Sequence, residues 1–342
     1  MNRRAFVYTS LLSFPAFAFA NEAWLNASPQ KALVIKAKAS RFNKPTPFQG
    51  KNPNDLKLSS KDSKGKLSTF DYVGVEKVGP SYHAHLYQDE MFFVVEGEYV
   101  FQVGAEKTLL KTGDLIFLPR TIPHTWVQIS DRGQLFYFLQ PAGKMEEFFL
   151  QLTKWDGKAT KAQYEKLGKD SGIQNHGPSI SATDQHTLVD TPKNGFVVRA
   201  GNSRFNETTL IDGINANDIK VSGKDTSNEL SIFEYHGVTK GGPPLHVHPH
   251  QDEVFYVTDG RYLFQCGDEK FELQKGDMIF LPRAVPHTFA QLSATGKLLF
   301  FFTPAGKMED FFRAIGGNKP LPAGTDPFAA HDMKVVGDPL KF

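Results

Sequence analysis

The segment Gly79-Pro80-Ser81-Tyr82-His83-Ala84-His85-Leu86-Tyr87-Gln88-Asp89-Glu90 returns 163 residues later (83 to 246) as Gly242-Pro243-Pro244-Leu245-His246-Val247-His248-Pro249-His250-Gln251-Asp252-Glu253. The same offset relates Arg41-Phe42-Asn43 to Arg204-Phe205-Asn206, and Pro141-Ala142-Gly143-Lys144-Met145-Glu146 to the hexapeptide that begins at Pro304. Self-similarity at one fixed spacing is the signature of a duplicated unit. The repeat runs without a gap from Leu33 to Phe149, paired with Phe196 to Phe312. Two copies in 342 residues agree with a domain size of roughly 150 residues.

Within each copy the pattern is β. Phe92-Phe93-Val94-Val95, Tyr99-Val100-Phe101-Gln102-Val103, Leu115-Ile116-Phe117-Leu118 and Leu135-Phe136-Tyr137-Phe138-Leu139 are short runs rich in aromatic and β-branched residues, and Gly97, Gly104 and Gly113 punctuate them. Thirty Phe, 29 Gly and 21 Pro in the chain suit many short strands joined by tight turns. The expected class is therefore all-β, with two tandem barrels or sandwiches. Helical spacing is confined to Met145–Trp155 and Met308–Ile315, one short helix after each barrel. The expected division is 33–150 for the first domain, 151–195 for a linker with one short helix around Ala162 to Leu167, 196–315 for the second domain and 316–342 for a C-terminal tail over the surface.

Residues 1–20 read as an export signal. A basic start with Arg3 and Arg4 precedes an apolar run that ends in Ala18-Phe19-Ala20, small residues where a signal peptidase cuts. The run is shorter than the roughly twenty residues a membrane span needs. The paired arginines suit either general secretion or the twin-arginine route. The expected location is periplasmic or secreted. Cys266 is the single cysteine, so no internal disulfide forms. The net charge of +2 includes Arg3 and Arg4, which leaves the mature chain near neutral. That balance argues against a nucleic-acid partner and gives no electrostatic support for binding an anionic membrane.

The chemistry lies in the repeated polar set. Two histidines at i and i+2 on a strand face the same way. His83 and His85 therefore pair, Glu90 enters the next strand on a face shared with Phe92 and Val94, and His124 follows a turn stiffened by Pro119 and Pro123. Three imidazoles and one carboxylate converging inside a small barrel form a metal site. His246, His248, Glu253 and His287 repeat the set. The donors suit Fe, Mn, Ni, Cu, Co or Zn, one ion per domain. Gln128 and Gln291, four residues beyond the last histidines, are expected on the inward face, bonded to a ligand histidine, to substrate or to backbone. Arg120 and Arg283 read as inter-strand anchors, and Asp114 and Asp277 as turn formers.

The Gly79–His85 segment with Glu90 and Gly97, followed by Gly113-Asp114-Leu115-Ile116-Phe117-Leu118-Pro119 and His124, resembles the two motifs of the cupin superfamily. Gly242 to Gly260 and Gly276 to His287 repeat both. The resemblance implies a bicupin, two jelly-roll barrels each with a metal inside. Among bicupins the second-copy segment looks like the quercetin 2,3-dioxygenase group. It is less like the oxalate decarboxylases, which carry an Arg before the first His pair where this chain has Tyr82 and Leu245. That similarity implies a flavonol-like aromatic cleaved with O2 and release of carbon monoxide, with Glu90 or Glu253 as both ligand and base. Phe92, Phe101 and Trp126, with Phe255, Phe264 and Phe289, would then wall the site or serve as plain core. A metal-dependent isomerase or epimerase and a non-enzymatic periplasmic binding module are the other readings; a pure binder has no need of the carboxylate as base. The expected assembly is a monomer or homodimer.

Overall fold

A computed structural model describes residues 31–184 and 187–341, so the expected leader at 1–20 lies outside the described residues. Two β-barrels follow one another, and every strand pair within their sheets is antiparallel. In the first barrel a six-stranded sheet, ordered Phe196–Val198, Leu115–Leu118, Asp89–Glu96, Gly133–Gln140, Ser68–Gly74 and Asn54–Leu58, faces a five-stranded one. The latter runs Ile173–Gly177, Tyr82–His85, His124–Gln128, Glu98–Val103 and Glu106–Lys111. The second barrel repeats this plan with seven and five strands. The tandem jelly-roll architecture expected from the repeat is the one observed. The helices Met145–Trp155 and Met308–Ile315 stand where expected, and the linker helix extends over Lys161–Asp170.

The domain boundaries differ from the linear division. Leu33–Ile35 pairs with Met278–Leu281 of the second barrel, and Phe196–Val198 pairs with Leu115–Leu118 of the first. Each copy gives its opening strand to the other. Two matching clamps hold the crossings. Asp277 accepts from the Ala37 amide at 2.8 Å and pairs with Lys36 at 2.6 Å. Asp114 accepts from the Ala200 amide at 2.8 Å and pairs with Arg199 at 2.9 Å. The aspartates read as turn formers are therefore also the staples of the exchange. The glycines before them are needed twice over. Gly113 and Gly276 sit at φ +90° and +88°, and a Cβ on either would meet the Cβ of Ala200 or Ala37 at 2.8 or 2.9 Å.

The linker and tail are also more than surface wrapping. Ile173–Gly177 pairs with the strand that carries His83 and His85, and Lys334–Pro339 pairs with the strand that carries His246 and His248. Without them each ligand strand would be an open edge held to its own barrel by one register pair, His83 with His124 or His246 with His287.

Between the barrels lies a shared apolar layer. Phe136 packs on Tyr256 at 4.2 Å and Phe138 on Phe301 at 5.0 Å. Tyr256 also donates to Asp71 at 3.1 Å and accepts from Gln134 at 2.9 Å, so its buried hydroxyl is satisfied across the junction. Cys266 is a buried free thiol. Among the described residues no helix is long and apolar enough to cross a membrane.

The exchange makes the halves interdependent. A fragment of residues 31–150 lacks the outer strand on Leu115–Leu118 and exposes the shared layer, so we expect it to aggregate or bind a hydrophobic dye where the whole chain does not. A soluble fragment with a cooperative unfolding transition would contradict the strand assignment.

Candidate metal centres

The two ligand sets come together as expected. His83, His85, Glu90 and His124 place one donor atom each within 4.8 Å of all the others, as do His246, His248, Glu253 and His287. His85, Glu90, His124, His246, His248, Glu253 and His287 are buried, and His83 is half-buried. Local backbone geometry fixes the histidine rings. His83 gives its Nδ1 hydrogen to the Ser81 carbonyl at 2.7 Å and His124 to Ile122 at 2.9 Å; His246 and His287 do the same with Pro244 and Val285, each at 2.8 Å. Protonation at Nδ1 leaves the Nε2 lone pair aimed inward, the second-shell arrangement that prepares imidazole for a metal.

The inward faces then crowd acceptor against acceptor. His83 Nε2 lies 3.3 Å from His85 Nε2, and His246 Nε2 lies 3.2 Å from His248 Nε2. His124 Nε2 is 3.0 Å from Glu90 Oε2. His287 Nε2 is equally close to Glu253 Oε2 at 3.0 Å, yet the alignment is not that of a hydrogen bond. Lone pairs facing one another at these distances are what a cation resolves, so the residues fit a metal in both barrels. Burial, with the charges of His124 and His85 second, pushes His83 down to about 3. Burial and His287 do the same to His246, also to about 3. Both rings are thus neutral and ligand-ready near pH 7.

The carboxylates differ between barrels. Burial works against the charge of Glu90, but His85 and His124 together outweigh it and hold the group below the usual carboxylate range. For Glu253 burial prevails over the His287 contact and the direction is upward. Distance accounts for part of this: Glu90 lies 3.4 Å from His85, Glu253 3.7 Å from His248.

Flanking contacts keep the ligands in place. Arg120 forks onto Asp89, beside Glu90, at 3.1 and 2.7 Å, and Arg283 forks onto Asp252 at 2.9 and 2.7 Å, which makes both arginines the anchors expected. Thr121 and Ala284 take φ of 68° and 64° and return their amides to the His85 and His248 carbonyls at 2.7 and 2.8 Å. Gln128 and Gln291 do not reach the ligands. At the far end of their strands, Gln128 donates to Gly74 and Ser130 and accepts from Tyr99, and Gln291 does the same with Gly237, Ser293 and Tyr262. Of the three partners weighed for them, the structure shows backbone, with a tyrosine hydroxyl in addition.

The cavities around the two centres are unequal. The first barrel holds about 910 Å³, lined by Phe48, Tyr72, Phe92, Trp126, Tyr137, Phe148 and Phe149 among others. The second holds about 260 Å³, filled from one side by Phe300, Phe302, Phe311, Phe312 and Phe328. Phe92, Trp126, Phe255 and Phe289 line the cavities as expected. Phe101 and Phe264 do not; they belong to the packed core behind. The inward-facing Tyr72 and Tyr137 were missed, though each stands in a strand whose alternation marks the inner face. Phe328 belongs to a four-residue helix in the tail and sets its ring 5.7 Å from His246. A third grouping, Asp218, Glu234 and His236, lies outside both cavities, and Lys220, 2.9 Å from Glu234, already balances its charge.

With this geometry described, the comparisons with known proteins can be placed. The cupin domain model matches residues 72–138 and 235–303, once in each barrel. The chain is a bicupin. Quercetin 2,3-dioxygenase of Bacillus subtilis is 20% identical to the bicupin over 280 residues, 77% of this chain and 79% of that one. Oxalate decarboxylase of Bacillus subtilis, a protein with Mn(II) centres, superposes at a TM-score of 0.52 with 13% identity, over 79% of this chain and 76% of that one. Procruciferin, an 11S globulin of Brassica napus, superposes at 0.55 with 11% identity, over 84% and 86% of the respective chains. Likeness at such identities shows the fold, which enzymes and a globulin share.

The tail over His246 leads to a kinetic expectation. Removal of metal by a chelator should show a fast phase from the open first barrel and a slow one from the covered second. Truncation before Pro327 should convert the slow phase into a fast one. A single phase in the intact bicupin would contradict the unequal access.

Proposed function

We propose that this bicupin is an exported metal-dependent dioxygenase, that its first barrel is the catalytic one, and that the substrate is a planar hydroxylated aromatic of the flavonol class. The observation that carries the reading is the first cavity. Its about 910 Å³ is within the range of small-molecule sites, its wall is mostly apolar and rich in aromatic rings, and His83, His85 and Glu90 stand in it. The second cavity, at about 260 Å³, falls below that range. Among the described residues the lining of the first cavity contains no arginine and no lysines but Lys161 and Lys169 on the linker helix, which disfavours a small dianion such as oxalate.

A first-row divalent ion on His83, His85, His124 and Glu90 would supply Lewis acidity and electron-transfer capacity for a ring hydroxyl and O2. The chain does the rest. Glu90 is ionised at neutral pH and accepts the hydroxyl proton at a carboxylate oxygen as substrate docks. Phe92 and Trp126, packed edge to face at 6.2 Å, present aromatic surface on which a flat ring can lie. Met145 and Phe148, from the helix that follows the barrel, keep water from the buried end. The 20% identity with a quercetin dioxygenase across both barrels supports the same choice.

Oxygen uptake by the metal-loaded protein with a panel of flavonols and catechols tests the proposal. Glu90→Gln should slow turnover by about 10²-fold or more, the usual scale for a lost general base, while Glu253→Gln stays within a few-fold of the parent. The reverse pattern would move the chemistry to the second barrel. No uptake with any of the candidate metals would overturn the dioxygenase reading. Export is tested separately, by sequencing the mature N-terminus, which should begin at Asn21.

A further inference from the structure

The wall of the first cavity carries three polar groups that the proposed chemistry does not use. Asn54 and Tyr72 are in register across neighbouring strands, and Phe70, two residues before Tyr72 on the same face, is in register with Tyr137. The Tyr137 hydroxyl donates to Asn54 Oδ1 at 2.9 Å. That bond fixes the amide orientation and turns Nδ2 away from Tyr137 with both hydrogens to give. Asn54 Nδ2 and the Tyr72 hydroxyl are buried, and neither has a hydrogen-bond partner. Burial raises the pKa of Tyr72, so the hydroxyl keeps its proton. An unspent amide and an unspent phenol in the wall of one cavity are costly to folding, and such groups call for a reason.

The second barrel keeps the phenol, as Tyr235 at the place of Tyr72, but not the free amide and the tyrosine that accompany it. The residue at the place of Tyr137 is Phe300, and the amide at the place of Asn54 is Asn217, whose Nδ2 is spent on Thr209 at 3.2 Å. The combination of a free amide donor with the phenol therefore belongs to the first barrel, whose cavity is the larger. The two groups share that cavity with Glu90, His83 and His85, so a single molecule can touch both regions.

We propose that Asn54 and Tyr72, oriented by Tyr137, form a recognition site for an oxygen acceptor on the substrate, a ring hydroxyl remote from the one that meets the metal. This rests on the functional reading above and narrows it: the substrate is an aromatic hydroxylated at both ends, not a ring with a single metal-binding hydroxyl. Phe48, half-buried on a loop and packed on Tyr72 and Trp126 at 5.9 and 6.0 Å, is the wall ring that gives way as the remote ring arrives.

Tyr72→Phe tests this cleanly, because the lost hydroxyl bonds to nothing in the protein and a purely structural role predicts no penalty. The measurement is calorimetric affinity, without oxygen, of the metal-loaded intact protein for quercetin and for 3-hydroxyflavone, which has no remote hydroxyl. The parent should bind quercetin about tenfold more tightly, roughly the worth of one net hydrogen bond. Tyr72→Phe should erase that preference, leave the 3-hydroxyflavone affinity unmoved and retain the parent's metal content. Asn54→Leu, of similar volume, should do the same. An unchanged quercetin affinity in both variants, or an equal loss for both ligands, would overturn the recognition site while leaving the dioxygenase reading intact. Failure of the parent to bind either flavonol would overturn both.

Discussion

Four lone-pair-bearing side chains forced together in a closed space are the constraint on which the rest of this molecule depends. The donors lie within 4.8 Å of one another in each barrel, most of them buried. Left alone they would repel, or would protonate and swell. The fold holds them by giving each of four histidine Nδ1 atoms a backbone carbonyl two residues earlier, so that none of those four rings can turn its lone pair outward without losing a hydrogen bond. Around that centre the devices repeat: a forked arginine beside the carboxylate, a left-handed residue bonded back to the second histidine, and a strand from outside the jelly roll that covers the ligand edge.

Duplication followed by divergence explains how the two centres differ. The ligand atoms superimpose in type and spacing, whereas the walls do not. Tyr137 became or remained polar where its counterpart is Phe300, and Trp126 stands opposite Phe289. The tail brings Phe328 over the second centre, while the linker helix leaves the first with a large space. One barrel thus has room for a ligand, and the ligand set of the other lies under a cap. The strand exchange and the shared Phe136–Tyr256 layer tie the two into one folding unit.

Much of this was legible in the order of residues. His83, His85, Glu90 and His124 announce themselves because strand periodicity and a fixed repeat put chemically matched groups on one face twice. The exchange of opening strands was not legible, since Leu33-Val34-Ile35 and Phe196-Val197-Val198 carry equivalent patterns and either barrel could accept either strand. The decision rests on tertiary staples, Asp277 to Ala37 and Asp114 to Ala200, whose partners lie more than eighty residues away. Gln128 shows the same limit. Its strand face was read correctly, but four residues along an extended strand is about 13 Å, and the far end of the barrel supplied its partners.

The most direct measurement of the central claim is an anomalous difference map from crystals of the purified protein, recorded at the absorption edge of the metal it carries. The account predicts one peak in each barrel, about 2.0–2.3 Å from the three Nε2 atoms and the carboxylate oxygen. A map with no peak between those donors, or with metal only at the protein surface, would contradict it.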